Sequence, residues 1–149
     1  MSIELRNATD HELWMVGILD GSEEGVRFPR YAPSVSRGDE VVAGPPSPED
    51  PLVAPLRAAD FRRLAPGESF DPGDPSGDAA YMPLSTFANF RPPAPGRYRY
   101  GLVLSTESEA PERWLGRFNQ DAERAAVLDL IQRVPRLTVT SNVLEIEVR

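Results

Sequence analysis

The chain contains no cysteine, no lysine and a single histidine, His11. Without cysteine, disulfides, thiolate catalysis and cysteine-ligated metal sites are excluded. One histidine cannot build a usual zinc site, and no Gly-x-Ser-x-Gly motif offers a serine for a catalytic triad through His11. We therefore interpret His11 as a solvated turn residue and expect no catalytic residue, no cofactor and no transition-metal site.

Long apolar runs and an excess of basic residues are also missing. No segment approaches membrane-spanning length, so we expect no membrane partner. The N-terminal stretch MSIELRNATDHELW lacks a basic region followed by an apolar run, which predicts no signal peptide and a cytoplasmic location. The formal net charge is −7, which argues against nucleic acid as a partner because that binding needs a basic field. The exclusive use of arginine as the basic residue indicates a GC-rich bacterial genome.

What is present is enough for one folded domain. The 149 residues can bury a normal core, and we expect a single domain over residues 1–149. The sixteen prolines and eleven glycines are clustered, which predicts long loops, chiefly at 44–55 and 71–78.

Most of the remaining segments are short and have a strand-like pattern. Strands are predicted at 2–8, 12–19 and 97–105. Prolines limit 25–37 to an edge strand or a broken one. Two further segments are expected to hold short elements: one turn of helix or a strand carrying Phe61 at 56–64, and a turn followed by a strand at 64–70.

Helical periodicity is clear only from about 119 to 134. Asn119 or Asp121 is the expected N-cap, and Pro135 ends the helix. We expect this single inserted helix to pack on the sheet rather than to dock a partner, because one face carries an apolar stripe: Val127, Leu130, Ile131 and Val134.

The last strand changes phase within its own length. Leu137 and Val139 are apolar at odd positions, whereas Leu144, Ile146 and Val148 are apolar at even ones. A one-residue slip moves every side chain to the other face of a sheet. The pattern therefore predicts a bulge or a bend at 141–143.

Tyr98 follows a Pro-Gly turn and opens the alternating strand at 97–105. About seven short strands with turns between them favour an antiparallel sandwich. In such folds a tyrosine at the start of a late strand forms a corner, with its ring buried and its hydroxyl bonded to the preceding backbone. We predict that bond within 89–96, with a ligand-contacting role for Tyr98 as the alternative.

Two turn motifs carry a resemblance to a known family. Leu64-Ala-Pro-Gly-Glu68 and Pro95-Gly96-Arg97-Tyr98 resemble the "L-x-P-G-E … P-G-x-Y" skeleton of bacterial immunoglobulin-like domains, nearest to the intracellular proteinase-inhibitor type. The resemblance covers roughly 60–149 and implies an all-β, immunoglobulin-like antiparallel sandwich. The chain departs from the family pattern in its long loops, in its inserted helix and in having no tryptophan soon after Glu68.

Charged residues give two candidate binding sites. Asp71, Asp74 and Asp78 share one loop, which we interpret as solvated, with a weak calcium site as the alternative. Four arginines form a candidate partner-binding patch: Arg97, Arg99, Arg62 and Arg63. Arg97 and Arg99 share one face of their strand, because alternate residues of a strand lie on the same side.

These observations favour a non-enzymatic protein-binding module. A small, acidic chain without a cofactor suits an inhibitor or immunity-type protein with an unidentified bacterial protein partner. The first alternative is a structural or accessory component of a larger assembly, which self-association through an edge strand would favour. The second is a carboxylate-based hydrolase, which needs two close carboxyl groups in a deep pocket. We expect a monomer or a weak homo-oligomer.

Overall fold

A computed structural model describes residues 2–48, 52–117 and 122–149. Within these ranges strands dominate, and the predicted β-rich fold class is confirmed. The described part of the chain holds two α-helices, α1 (Ser85–Asn89) and α2 (Arg124–Arg133), and single turns of 3-10 helix at Ala58–Asp60 and Pro111–Arg113. The strands are β1 (Leu5–Arg6), β2 (Leu13–Val16), β3 (Arg30–Arg37), β4 (Glu40–Ala43), β5 (Phe61–Leu64), β6 (Ser69–Phe70), β7 (Gly96–Ser105), β8 (Thr138–Thr140) and β9 (Leu144–Val148).

The strands form one larger sheet and two strand pairs, all antiparallel. The larger sheet has the order β4-β3-β7-β8, and β9 pairs with the first half of β7, whereas β8 pairs with its last residues. The pairs are β1 with β6 and β2 with β5. The long strand β7 is therefore the centre of the larger sheet, and the residues predicted to form a strand at 97–105 lie in it.

The expectation that 25–37 forms an edge or broken strand is wrong only for its last residues. From Val35 onward β3 lies between β4 and β7, as an interior strand does. Pro33 stands opposite Leu102 of β7, but β4 begins its pairing only at Val35. The proline, which has no N–H to donate, thus occupies the part of β3 that has a neighbour on one side only.

The core joins the larger sheet to the strand pairs. Buried side chains from β2, β5 and β6 pack in one cluster with those of β3 and β7. The hydroxyl of Tyr31 on β3 donates to the carbonyl of Val16 on β2 at 2.8 Å. From α2, Val127 and Ile131 are buried in the same cluster, so the predicted packing of this helix on the sheet is confirmed.

The helix prediction needs two corrections. Helix α2 begins at Arg124, after the expected start near 119. The predicted caps Asn119 and Asp121 lie outside the described residues. The residue before α2, Glu123, makes no side-chain cap; its carboxylate instead accepts the backbone N–H of Ala58 at 2.7 Å. The short helix α1 was not predicted, because five residues are too few for an apolar period to show.

The turn at Leu64-Ala-Pro-Gly-Glu68 joins β5 to β6, as predicted. Gly67 has a φ of 78°, a conformation that glycine adopts without steric cost. The buried side chain of Asn7 fastens the neighbouring chain to it by donating to the carbonyl of Leu64 at 3.0 Å. The backbone N–H of Gly67 donates in turn to the carbonyl of Asn7 at 2.8 Å.

Tyr98 has the geometry predicted for a tyrosine corner. Its side chain is fully buried, and its hydroxyl donates to the carbonyl of Ala94 at 2.8 Å, inside the expected range of 89–96. The ring packs 5.7 Å from that of Phe90, centroid to centroid. The hydrogen bond and the ring contact thereby tie the residues that precede β7 to the first residues of that strand.

Replacing Tyr98 with phenylalanine should lower the free energy of unfolding by about 0.5–1.5 kcal/mol. The ring keeps its packing, but the bond to Ala94 is lost. Equilibrium denaturation should show a lower midpoint with an unchanged slope. An unchanged midpoint together with lost partner binding would instead identify Tyr98 as a contact residue.

Candidate functional site

The outer border of the larger sheet is formed by two strands in line, β8 and β9, which both pair with β7. Val103 pairs with Thr140 and Tyr100 with Leu144, so three steps along β7 face four steps along its neighbours. The extra residue is a bulge, and the prediction of a bulge or bend at 141–143 is confirmed. The hydroxyl of Ser141 accepts the N–H of Leu102 at 3.0 Å, which replaces a backbone acceptor at the irregularity.

The bulge brings the apolar residues of both strands onto the same face of the sheet as the buried residues of β7. That face is covered along β7, where Tyr98 is 0% and Leu104 is 4% exposed. Their register partners on the border strands, Ile146 and Val139, are 37% and 43% exposed. Leu144 is likewise 43% exposed. The row of core-facing side chains therefore continues from β7 onto the border strands β8 and β9. There its members, Val139, Leu144 and Ile146, are exposed, and we call them the exposed row.

A groove runs beside this exposed row. It consists of two pockets of about 240 and 170 Å³ whose walls share four residues: Ile3, Glu4, Leu102 and Ser141. Ile3 belongs to the segment leading into β1, so one wall comes from a strand pair and the other from the larger sheet. The groove thus opens between the two layers at the side where β8 and β9 end the sheet.

The opposite face of β9 is charged. Glu145 lies between Arg97 and Arg99 of β7, with closest nitrogen-to-oxygen distances of 3.8 and 3.5 Å. All three side chains are about half exposed or more, so these ion pairs contribute little to stability. Glu147 pairs in register with Arg97, but among the described residues it makes no ion pair within 4 Å. The border strand is therefore apolar on one face and acidic on the other.

The arginines expected to form one patch lie on two different sheets. Arg97 and Arg99 share the outer face of β7, opposite Tyr98, as predicted. Arg62 and Arg63 lie on β5, where Arg63 pairs with Glu12 at 3.1 Å. The structure does not bring the two pairs together, and a partner-binding role for either pair stays a prediction.

The three loop aspartates line one pocket together with Arg62. Asp71 accepts the N–H of Gly73 at 2.9 Å, and Asp74 accepts both the N–H and the hydroxyl of Ser76. These hydrogen bonds lower the pKa of Asp74, the direction opposite to that needed by an acid catalyst. In the described part of the chain no three carboxylate or histidine side chains are arranged to hold a metal ion. This holds for Asp71, Asp74 and Asp78 as well.

His11 is exposed beside Asp10, with 3.0 Å between its Nδ1 and the carboxylate. This contact lowers the pKa of Asp10. The position agrees with the turn predicted for His11. No helix within the described ranges is long and apolar enough to cross a membrane.

Sequence reasoning missed the exposed row. Its members were correctly read as apolar strand residues, but periodicity shows only which residues share a face. Whether another layer covers that face depends on distant parts of the chain. The phase change at the bulge was the one local signal that this strand is unusual.

Together these features define a β-rich protein whose larger sheet ends in an open, apolar border. No family model, no curated protein and no solved structure matches the chain.

Proposed function

We propose that the protein is a non-enzymatic protein-binding module that receives an extended segment of its partner along β8 and β9. The observation that carries the proposal is the exposed continuation of the core-facing row: Val139, Leu144 and Ile146. A contiguous apolar border beside an open groove is a common mark of an interaction surface.

The backbone of the border strands supplies the first part of the interaction. Within the described residues β8 and β9 pair with β7 alone, so their outer side presents unpaired N–H and C=O groups. Such an edge is a template for a further strand, and main-chain hydrogen bonds then provide the affinity.

The side chains specify which segment fits. Residues next to Leu144 would face the groove, those next to Ile146 would extend the exposed apolar row, and both should be apolar. Residues on the other face would lie beside Glu145 and Glu147 and should be basic, since opposite charges across strands are stabilising. The expected segment therefore alternates apolar residues with arginine or lysine.

A second copy of the chain fits this border less well. An antiparallel pair of β9 strands centred on Ile146 would place Glu145 of one copy directly opposite Glu147 of the other. Like charges directly opposite each other destabilise a strand pair. This argument favours a foreign basic segment over the self-associating accessory component, the first alternative for the function.

Within the protein-binding class, an inhibitor or immunity-type protein remains our preferred assignment. An immunoglobulin-like sandwich of the proteinase-inhibitor type remains the preferred fold. The two-layer core and the tyrosine corner at Tyr98 support that fold. The bacterial source and the cytoplasmic location stay predictions from composition and the N-terminal sequence.

A synthetic peptide of about nine residues, alternating valine and arginine, tests the proposal. We expect it to bind the wild-type protein, with binding measured by fluorescence anisotropy. The variant Ile146→Lys should raise the dissociation constant about tenfold or more, because it places a charge against the apolar face of the peptide. Circular dichroism should show that the variant remains folded, with only a small loss of thermal stability, since the side chain is partly exposed.

Val41→Lys is the matched control, because Val41 is 65% exposed on β4, the opposite border of the same sheet. This variant should bind the peptide normally. A peptide with N-methylated alternate residues, which cannot pair with an edge, should lose its affinity. Equal binding by wild type and Ile146→Lys would contradict the proposal. A concentration-dependent dimer that Ile146→Lys abolishes would favour the accessory component instead.

A further inference from the structure

Two arginines stack on the same aromatic ring at a position unrelated to the open border. The guanidinium carbon of Arg30 lies 4.6 Å from the centroid of the Phe28 ring, and that of Arg113 lies 5.2 Å from it. Phe28 is buried and packs 5.7 Å from Trp114, centroid to centroid. Both cations are thus held at one ring, and their guanidinium carbons lie about 10 Å apart at most.

Neither charge is neutralised within the described residues. Arg57, Arg63, Arg97, Arg99, Arg133 and Arg136 all take part in ion pairs there. Arg30 and Arg113 take part in none, and the buried Nε of Arg30 has no hydrogen-bond partner. Other arginines, such as Arg37 and Arg62, also make no ion pair there, but each of those lies over a ring of its own, whereas Arg30 and Arg113 share one.

The electrostatics agree with this arrangement. The pKa of Arg30 is lowered from its usual value, first because the group is partly buried and second because the charge of Arg113 is close. An anion held at the pair would relieve this repulsion and accept hydrogen bonds from the terminal N–H groups of the two guanidiniums. Guanidinium groups bind phosphate oxygens through paired hydrogen bonds.

We propose that Arg30 and Arg113 form a binding site for a phosphate dianion, either free in a small phosphomonoester or carried by a phosphorylated protein. The two positive charges match the charge of one such group. A long polyanion such as nucleic acid fits poorly, since the acidic remainder of the surface would repel it. The site is independent of the proposed strand-binding border.

The test is a titration with inorganic phosphate at constant ionic strength, set with sodium chloride. The Trp14→Phe background leaves Trp114, next to Phe28, as the sole tryptophan reporter. We expect a saturable change in its fluorescence. Arg30→Gln and Arg113→Gln should each raise the dissociation constant about tenfold or more, because a charge-assisted bond is lost. Arg113 is exposed, so its variant remains informative if Arg30→Gln unfolds the protein.

Arg91→Gln removes an equal charge elsewhere and should leave the titration unchanged. Glycerol phosphate and a Gly/Ser peptide with one phosphoserine are then compared. Tighter binding of the first indicates a small-molecule ligand, tighter binding of the second a phosphorylated protein, and equal binding a site for the phosphate group alone. A response that does not saturate, or that is the same in Arg113→Gln, overturns the proposal.

Discussion

Replacing Gly116 with alanine should destabilise the protein by about 3 kcal/mol or more. A Cβ atom at this position would collide with the carbonyl oxygen of Ala54 and lie only 2.6 Å from the Cα of Pro55. Both are backbone atoms, so no side chain can rotate away to relieve the overlap. The loops at 53–55 and 115–117 would have to separate, breaking the hydrogen bond from the N–H of Arg117 to the carbonyl of Val53.

Gly44→Ala is the matched control for this substitution. Among the described residues no atom beyond its chain neighbours lies within 4 Å of a Cβ built there, and its φ is not in the left-handed range. We expect a change within about 0.5 kcal/mol for this variant. Chemical denaturation of both variants compares them directly. If Gly116→Ala were as stable as Gly44→Ala, the two loops could not approach each other as closely as described.

Replacing Glu23 with alanine should cost about 3 kcal/mol, the other large effect that we expect. The buried carboxylate of Glu23 accepts the backbone N–H groups of Ser85 and Thr86 at 2.7 and 2.8 Å. It also accepts both of their hydroxyls. The residue before α1 provides no side-chain cap. Glu23, from a distant part of the chain, instead accepts the backbone N–H groups of the first turn of α1, which have no acceptor within the helix.

The loss should spread to the aromatic cluster beside β7. Phe87 and Phe90, at α1 and its end, pack against Tyr100 at centroid distances of 5.7 and 6.2 Å. Near-ultraviolet circular dichroism should therefore weaken in Glu23→Ala along with the thermal midpoint. Glu24→Ala removes the neighbouring charge and should change neither signal. A Glu23→Ala variant as stable as wild type would show that the four hydrogen bonds do not hold α1.

Features encoded by neighbouring residues were predictable from the sequence. The turn before Tyr98 and the alternation after it indicated both a strand and a corner, and the hydroxyl bonds Ala94 as expected. The phase change around 141–143 indicated an irregularity of one residue, and the register shows it. In each case the signal and the structure lie within about ten residues of each other.

Features that depend on distant contacts were not predictable. Nothing near Glu23 in the sequence indicates that it supports Ser85 and Thr86. Arg30 and Arg113 meet because the chain returns to Phe28, and an isolated sequence carries no signal of that return. The exposed row on β8 and β9 was missed for the same reason, since coverage of a sheet face is a property of the other layer.

Amide hydrogen exchange in the presence of the valine–arginine peptide tests the proposed strand-binding border most directly. A bound strand pairs with alternate residues of an edge. We therefore predict that alternate amides of residues 138–148 become protected when the peptide is added, while those of β4 stay unchanged. If the peptide protected only amides of β4, or only amides around Arg97 and Arg99, and left residues 138–148 unaffected, the account would be contradicted.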